Sequence, residues 1–103
     1  MNAVVAGPDE YDLAAALESV GVAVSRVDVA NRPGLEDAGV VDADVYVLTE
    51  VAQATSVAVA KDLAPDLRVV VYDDDSLPDF ARGQADLVVD PDLIDVETLA
   101  EEL

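Results

Sequence analysis

The sequence predicts an α/β fold, a three-layer α/β/α sandwich in which a five-stranded parallel sheet carries helices on both faces. Two patterns and one interruption carry that expectation. Short apolar runs such as Val4-Val5-Ala6, Val45-Tyr46-Val47-Leu48 and Val69-Val70-Val71 alternate with segments of helical spacing. The runs are apolar at consecutive positions, as strands covered on both faces require. Only the second strand is broken by polar residues, Ser25 and Arg26, which places it at an edge of the sheet. Strands that alternate with helices pair in parallel through right-handed crossovers.

The first strand is expected at Asn2 to Ala6, followed by a Gly7-Pro8 break. Asp9 is placed to cap the next helix, with Asp12 three residues on as a short capping box. That helix runs to about Val20 with Leu13, Ala16, Leu17 and Val20 on one face, and Gly21 closes it. Strand two is expected at Val22 to Asp28, and Asn31-Arg32-Pro33-Gly34 forms a turn cluster. Leu35 to Ala38 makes at most two helical turns before Gly39.

Strand three spans Asp44 to Leu48. A helix from about Val51 to Leu63 then packs Val51, Ala54, Ala58, Val59 and Leu63, and Pro65 stops it. Strand four spans Leu67 to Tyr72. After Asp73-Asp74-Asp75, Ser76 is the expected N-cap of a short helix to about Arg82. Strand five spans Ala85 to Val89. Asp90-Pro91-Asp92 opens a last helix with Leu93, Val96, Leu99, Ala100 and Leu103 on one face. Residues 1–103 hold no linker and no internal repeat, so a single domain is expected.

Composition narrows the function classes. The 103 residues contain no Cys and no His, which removes thiol chemistry, the usual general base and the commonest metal ligand. Hydrophobic residues make up 52% with few aromatics, so the core should be small-grained and aliphatic. Five basic residues (Arg26, Arg32, Lys61, Arg68 and Arg82) face 23 acidic ones for a net charge of −18. Phosphate contacts and anionic membrane surfaces both need clustered Lys and Arg, so neither nucleic acid nor a membrane is an expected partner. Charge of this magnitude repels itself unless salt screens it, which suits a cytoplasmic protein of a salt-loving organism. No basic n-region and no apolar run of about 18 residues is present, so neither a signal peptide nor a membrane span is expected.

Three stretches resemble one family. Asp42-Ala43-Asp44-Val45-Tyr46-Val47-Leu48-Thr49, the run from Ala60 to Val70 around Pro65, and Gly83-Gln84-Ala85-Asp86-Leu87-Val88-Val89-Asp90-Pro91 look like the Rossmann-type nucleotide-binding domain of TrkA/RCK potassium-transport regulators. Leu35-Glu36-Asp37-Ala38-Gly39-Val40 resembles the helix before that family's Ala-Asp strand. The family has a further helix and strand where this chain has only Val29 to Gly34. Removing that edge strand leaves the order 2-1-3-4-5, a Rossmann- or flavodoxin-like arrangement of a small haloarchaeal protein.

The resemblance implies a ligand crevice at the carboxyl ends of strands one and three, lined by Gly7, Pro8, Asp9, Glu10, Thr49 and Glu50, with Asp28 where the family's ribose-binding acid lies. The phosphate loop departs from G-x-G-x-x-G. Gly7 fills the first position, but Asp9 and Asp12 stand at the second and third, where they repel phosphate and occupy the positive helix end themselves. No cofactor is therefore expected; NAD(H) or another nucleotide is what an intact loop would take.

A receiver domain of the response-regulator kind shares the order 2-1-3-4-5. It needs an acidic pair after strand one, a phospho-accepting Asp ending strand three and a Lys ending strand five. Asp9 and Glu10 imitate the pair, whereas Thr49 ends strand three and Asp90-Pro91 resembles the Lys-Pro turn with its charge reversed. Asp73-Asp74-Asp75 offers oxygen ligands to a cation but reads first as a solvated acidic turn. Thr49, Ser56 and Ser76 have no base beside them in the sequence to make a nucleophile. The expected function is a non-catalytic regulatory or interaction domain of Rossmann-like ancestry, which meets a protein partner or a second copy of itself. The two other readings are a nucleotide or small-ligand sensor and a pseudo-receiver.

Overall fold

Strands form where valine and alanine run unbroken. In the computed structural model, which describes residues 1–103, β1 (Asn2–Ala6), β2 (Ala23–Val27), β3 (Val45–Leu48), β4 (Arg68–Tyr72) and β5 (Leu87–Val89) make one sheet. All neighbours are parallel and the order is β2-β1-β3-β4-β5, as expected. The central strands β1, β3 and β4 have buried side chains on both faces, whereas β2 at the edge is mostly exposed.

Alternate strand residues feed two cores. Val4, Ala6, Tyr46, Leu48, Val69 and Val71 pack with Leu35, Val57 and Ala81 from α2 (Arg32–Asp37), α3 (Thr55–Leu63) and α4 (Asp79–Arg82). On the other face Ala3, Val5, Val45, Val47, Val70 and Tyr72 pack with Leu13 and Leu17 of α1 (Leu13–Ser19) and with Val96, Leu99 and Ala100 of α5 (Val96–Glu102). The grain is aliphatic, with Tyr46 the largest fully buried side chain. Each such leucine or valine contributes about 1.5–3 kcal/mol on leaving water.

The phenol of Tyr46 would be costly in that core without a partner. It meets the hydroxyl of Ser56 on α3 at 2.7 Å, and Ser56 is the one buried polar residue. Burial pushes the Tyr46 phenol up to about 12, against a smaller downward pull from the Ser56 bond.

Several boundaries differ from the sequence expectation. Helix α2 begins at Arg32, because Asn31 caps it, accepting from the Gly34 amide at 2.8 Å, with Pro33 in the first turn; the turn cluster is a helix start. Residues Val51–Gln53 form a separate 3-10 turn ahead of α3, and a second 3-10 turn spans Val40–Asp42. The inward stripe of α3 is Ser56, Val57 and Ala60, following Ala54, while Ala58 faces solvent. Ser76 caps nothing; Pro78 holds the N-cap of α4. The last helix starts at Val96, where Asp95 accepts from the Thr98 amide at 2.9 Å. Asp90-Pro91-Asp92 lies in the preceding loop, and Leu93, expected in the core, is 80% exposed.

The register matters for the site. Ala6 stands opposite both Val27 and Leu48, and Leu48 opposite Val71. The loops leaving β2, β1, β3 and β4 therefore emerge side by side at the carboxyl rim of the sheet.

Candidate functional site

The loop after β1 is set by one glycine. Gly7 has φ +98°, a left-handed conformation that side chains disfavour, and its amide donates to the Val27 carbonyl at 2.9 Å. A Cβ there would lie 2.5 Å from the Thr49 hydroxyl oxygen and 3.2 Å from the Glu50 Cβ. The glycine thus lets the loop after β3 approach closely. The Thr49 hydroxyl lies 2.6 Å from the Pro8 carbonyl oxygen, to which it donates, and 3.1 Å from that of Ala6. The crevice between β1 and β3 is bridged by protein at this point.

Asp9 does not cap α1 from the N-cap position. Asp12 holds that position in a left-handed conformation, with φ 57°, and its side chain makes no capping bond. The Asp9 carboxylate reaches forward instead and accepts from the Leu13 amide at 2.7 Å and the Ala14 amide at 3.2 Å. On its other side stands Arg26 of β2, 3.7 Å away, which also donates to the Gly7 carbonyl at 2.9 Å. The helix amides a bound anion would use are taken by an internal carboxylate.

Gln53, not singled out from the sequence, and Asp73, expected only as part of a solvated acidic turn, complete the rim. Gln53 donates to the Asp28 carbonyl and to Glu50, each at 3.0 Å, and accepts from the Ala30 amide at 2.7 Å. Asp73 accepts from the Val51 amide at 2.7 Å and from the Asp75 amide at 3.3 Å. No sequence signal separates this glutamine from a surface polar residue, or Asp73 from its two neighbours.

A cavity of about 240 Å³ opens between these loops, lined by Pro8, Glu10, Tyr11, Thr49, Glu50, Tyr72, Asp73, Asp74 and Pro91. Of the residues expected there, Pro8, Glu10, Thr49 and Glu50 line it. Gly7 lies buried beneath, and Asp9 is turned to α1. Asp28 is exposed at the end of β2 and does not line the cavity; only its carbonyl is engaged. The Tyr11 and Tyr72 rings meet edge-to-face at 6.0 Å. Burial and then the charges of Asp74, Asp92, Glu10 and Asp73 push the Tyr11 phenol up. The carboxyl of Asp74 is raised chiefly by its hydrogen bond with Asp73. The cavity is therefore a region of negative potential, with Glu10, Glu50, Asp73 and Asp74 in its wall. The carboxylates of Asp73, Asp74 and Asp75 have oxygens within 4.8 Å of one another, with Asp74 and Asp75 exposed.

The model of a family described as "Family of unknown function (DUF7126)" matches residues 3–103. No curated protein matches the chain. Three solved structures share its fold. One, described as pilus-assembly-related, is from Burkholderia pseudomallei K96243; it is 20% identical over 99% of this chain and 85% of its own, with a TM-score of 0.67. The second, described as a pilus assembly protein (CpaE), is from Burkholderia thailandensis E264; it is 18% identical over 99% and 93%, with a TM-score of 0.69. The third is a response regulator from Burkholderia pseudomallei with a phosphorylated aspartic acid, calcium ion and citrate; it is 22% identical over 98% and 69%, with a TM-score of 0.67.

These neighbours share a flavodoxin-like α/β fold, and they overturn the TrkA/RCK resemblance along with the nucleotide-binding role it implied. The physical reason is that the stretches behind the resemblance are strand cores and helix ends. Any doubly wound sheet needs those, whereas the glycines specific to dinucleotide binding are missing. No helix is long and apolar enough to cross a membrane.

Proposed function

The chain belongs to that family of unknown function, and from its geometry we propose that it is a pseudo-receiver: a non-catalytic domain over residues 1–103 that keeps the receiver shape for contact with another protein. It works in a salt-rich cytoplasm without a resident cofactor. The observation that carries this reading is the state of the three positions where a receiver does its chemistry. Asp9, of the acidic pair, is committed to the α1 amides and Arg26. Thr49 follows β3 in place of a phospho-accepting aspartate, and its hydroxyl is hydrogen-bonded to the Pro8 carbonyl. Asp90 follows β5 where a lysine would stand. A receiver that cannot accept a phosphoryl group retains only its surfaces, and surfaces act by binding.

The test is intact-mass measurement after incubation with acetyl phosphate and Mg²⁺, in parallel with a working receiver. The expected result is no phosphoryl adduct on this chain. An adduct that maps to any aspartate at the carboxyl rim would overturn the reading.

A further inference from the structure

The cavity of about 240 Å³ at the carboxyl rim has a wall whose charges the fold does not use up. Glu10 is exposed and forms no ion pair. Glu50 accepts from Gln53 through one oxygen at 3.0 Å, which leaves the other. Asp73 is held by the Val51 and Asp75 amides, and Asp74 stands exposed beside it. None of the five cations of the chain lines this space. Four carboxylates thus face one cavity with no positive charge of their own to balance them.

The wall also carries two aromatic rings. Tyr72 is fixed by donating its hydroxyl to the Ile94 carbonyl at 2.6 Å. Tyr11 meets that ring edge-to-face and keeps 50% of its surface exposed. A metal ion would make no use of the rings, and it needs oxygens that converge on one point. Only Asp73, Asp74 and Asp75 converge in that way, and Asp75 lies outside the wall. A guanidinium suits the arrangement better. It is planar, stacks on a ring face, and spreads five donors over separate carboxylates. It is also more weakly hydrated than an ammonium, so it leaves water at lower cost. Volume decides the source. Cavities that enclose a whole small molecule start at about 300 Å³. At about 240 Å³ this one holds the end of a side chain.

We infer that this cavity is the socket for an arginine of a partner protein, whose guanidinium lies against Tyr11 and donates to Glu10, Glu50 and Asp74. This rests on reading the domain as a binding module, and it names what the module's partner presents. The net charge of −18 draws any cation toward the chain, so selectivity comes from the rings and from where the acids stand. Close contacts in a half-enclosed site persist in salt that screens the long-range field.

The test is a titration of the full chain followed by amide NMR in about 1 M KCl. The probes are a blocked glycine peptide with one central arginine, its uncharged citrulline and its lysine counterparts, and methylguanidinium. The arginine peptide is expected to give saturable shifts at Glu10, Tyr11, Glu50 and Asp74, and the citrulline peptide none. The lysine peptide is expected to bind about threefold more weakly or worse. Tyr11→Leu keeps the bulk and loses the ring, for an expected weakening of about two- to fivefold. E10Q/E50Q is expected to weaken binding about three- to tenfold. E36Q/E101Q removes the same charge from exposed positions outside the cavity and is expected to stay within about twofold of wild type. The amide spectrum of each variant checks its folding. No saturable shift with the arginine peptide, equal binding of the citrulline peptide, or equal weakening by the two double variants would overturn the proposal. Methylguanidinium bound as tightly as the peptide would overturn the protein source. A chain that binds no guanidinium and takes no phosphoryl group would leave the pseudo-receiver reading standing without this partner chemistry, so the two failures are separate.

Discussion

The Thr49 hydroxyl sits 2.6 Å from the Pro8 carbonyl and 2.5 Å from the place a Cβ on residue 7 would take. The tight turn after β1 and the close approach of the β3 loop are therefore one constraint. Gly7→Ala would force an alanine into φ +98° and displace Thr49 together. The expected cost is about 2–3 kcal/mol, seen as a fall in Tm of roughly 10–20 °C. Gly21→Ala is the control: φ is +88° but nothing lies within 4 Å, so the expected cost is about 1–2 kcal/mol. Thermal melts of both variants in the same salt check the difference.

Asp9 stabilises α1 through two amide bonds and stands beside Arg26 with only 12% of its side chain exposed. Asp9→Ala is expected to cost about 1–2 kcal/mol. Asp9→Asn keeps one acceptor and is expected to cost less. Arg26→Ala should be milder in the D9A background than in wild type, because the pair shares its loss. Urea denaturation of the three variants and the double reads this out.

The buried Tyr46–Ser56 pair predicts a sign reversal. Tyr46→Phe leaves the Ser56 hydroxyl unsatisfied in the core and is expected to destabilise by about 1–3 kcal/mol. Adding Ser56→Ala removes the orphan and should recover most of that loss. In wild type the folded phenol titrates at about 12, above its ordinary 10.0, so the native state holds its proton more tightly than the unfolded chain. That stability is complete below pH 10 and lost as pH rises to about 12; Y46F should lose less stability than wild type over that span, its remaining slope coming from the raised phenols of Tyr11 and Tyr72.

Asp86 gives the acid limb. It accepts from the Val69 amide at 2.7 Å and from Lys61 at 3.0 Å, and these bonds hold its carboxyl below the ordinary 3.8. The native state then binds fewer protons than the unfolded chain near pH 3.8, so this stabilisation is full above that pH and declines as pH falls through the folded value. Asp95, lowered by its bonds with Thr98, acts in the same direction. The Tm difference between wild type and Asp86→Ala should be largest above about pH 5 and narrow steadily below pH 3.8.

The strand order was readable because two simple contrasts encode it: continuous apolar runs at β1, β3 and β4, and the polar middle of β2. Helix starts were less readable. Asn31 and Asp95 compete with many other Asp residues for the capping role, and which one wins depends on where the chain leaves the sheet. The crevice was half legible. Gly7 and Thr49 were foreseen as lining residues, but that the Thr49 side chain bridges to Pro8 depends on a register between strands that no local pattern carries. Gln53 and Arg26 were missed for the same reason: their partners lie 23 to 25 and 19 residues away in the chain. The family resemblance failed because aliphatic strand cores report that a sheet is wound, and not what its loops hold.

Four cross-links run in series around the carboxyl rim: Arg26 to Gly7, Thr49 to Pro8, Gln53 to Asp28 and Ala30, and Asp73 to Val51. The first three close a ring over the ends of β1, β2 and β3, and Asp73 ties the β4 loop to it. Each of the three loops in the ring is held from both sides, and the β4 loop from one. Within that ring, the loss of any one link leaves every loop still tied by another.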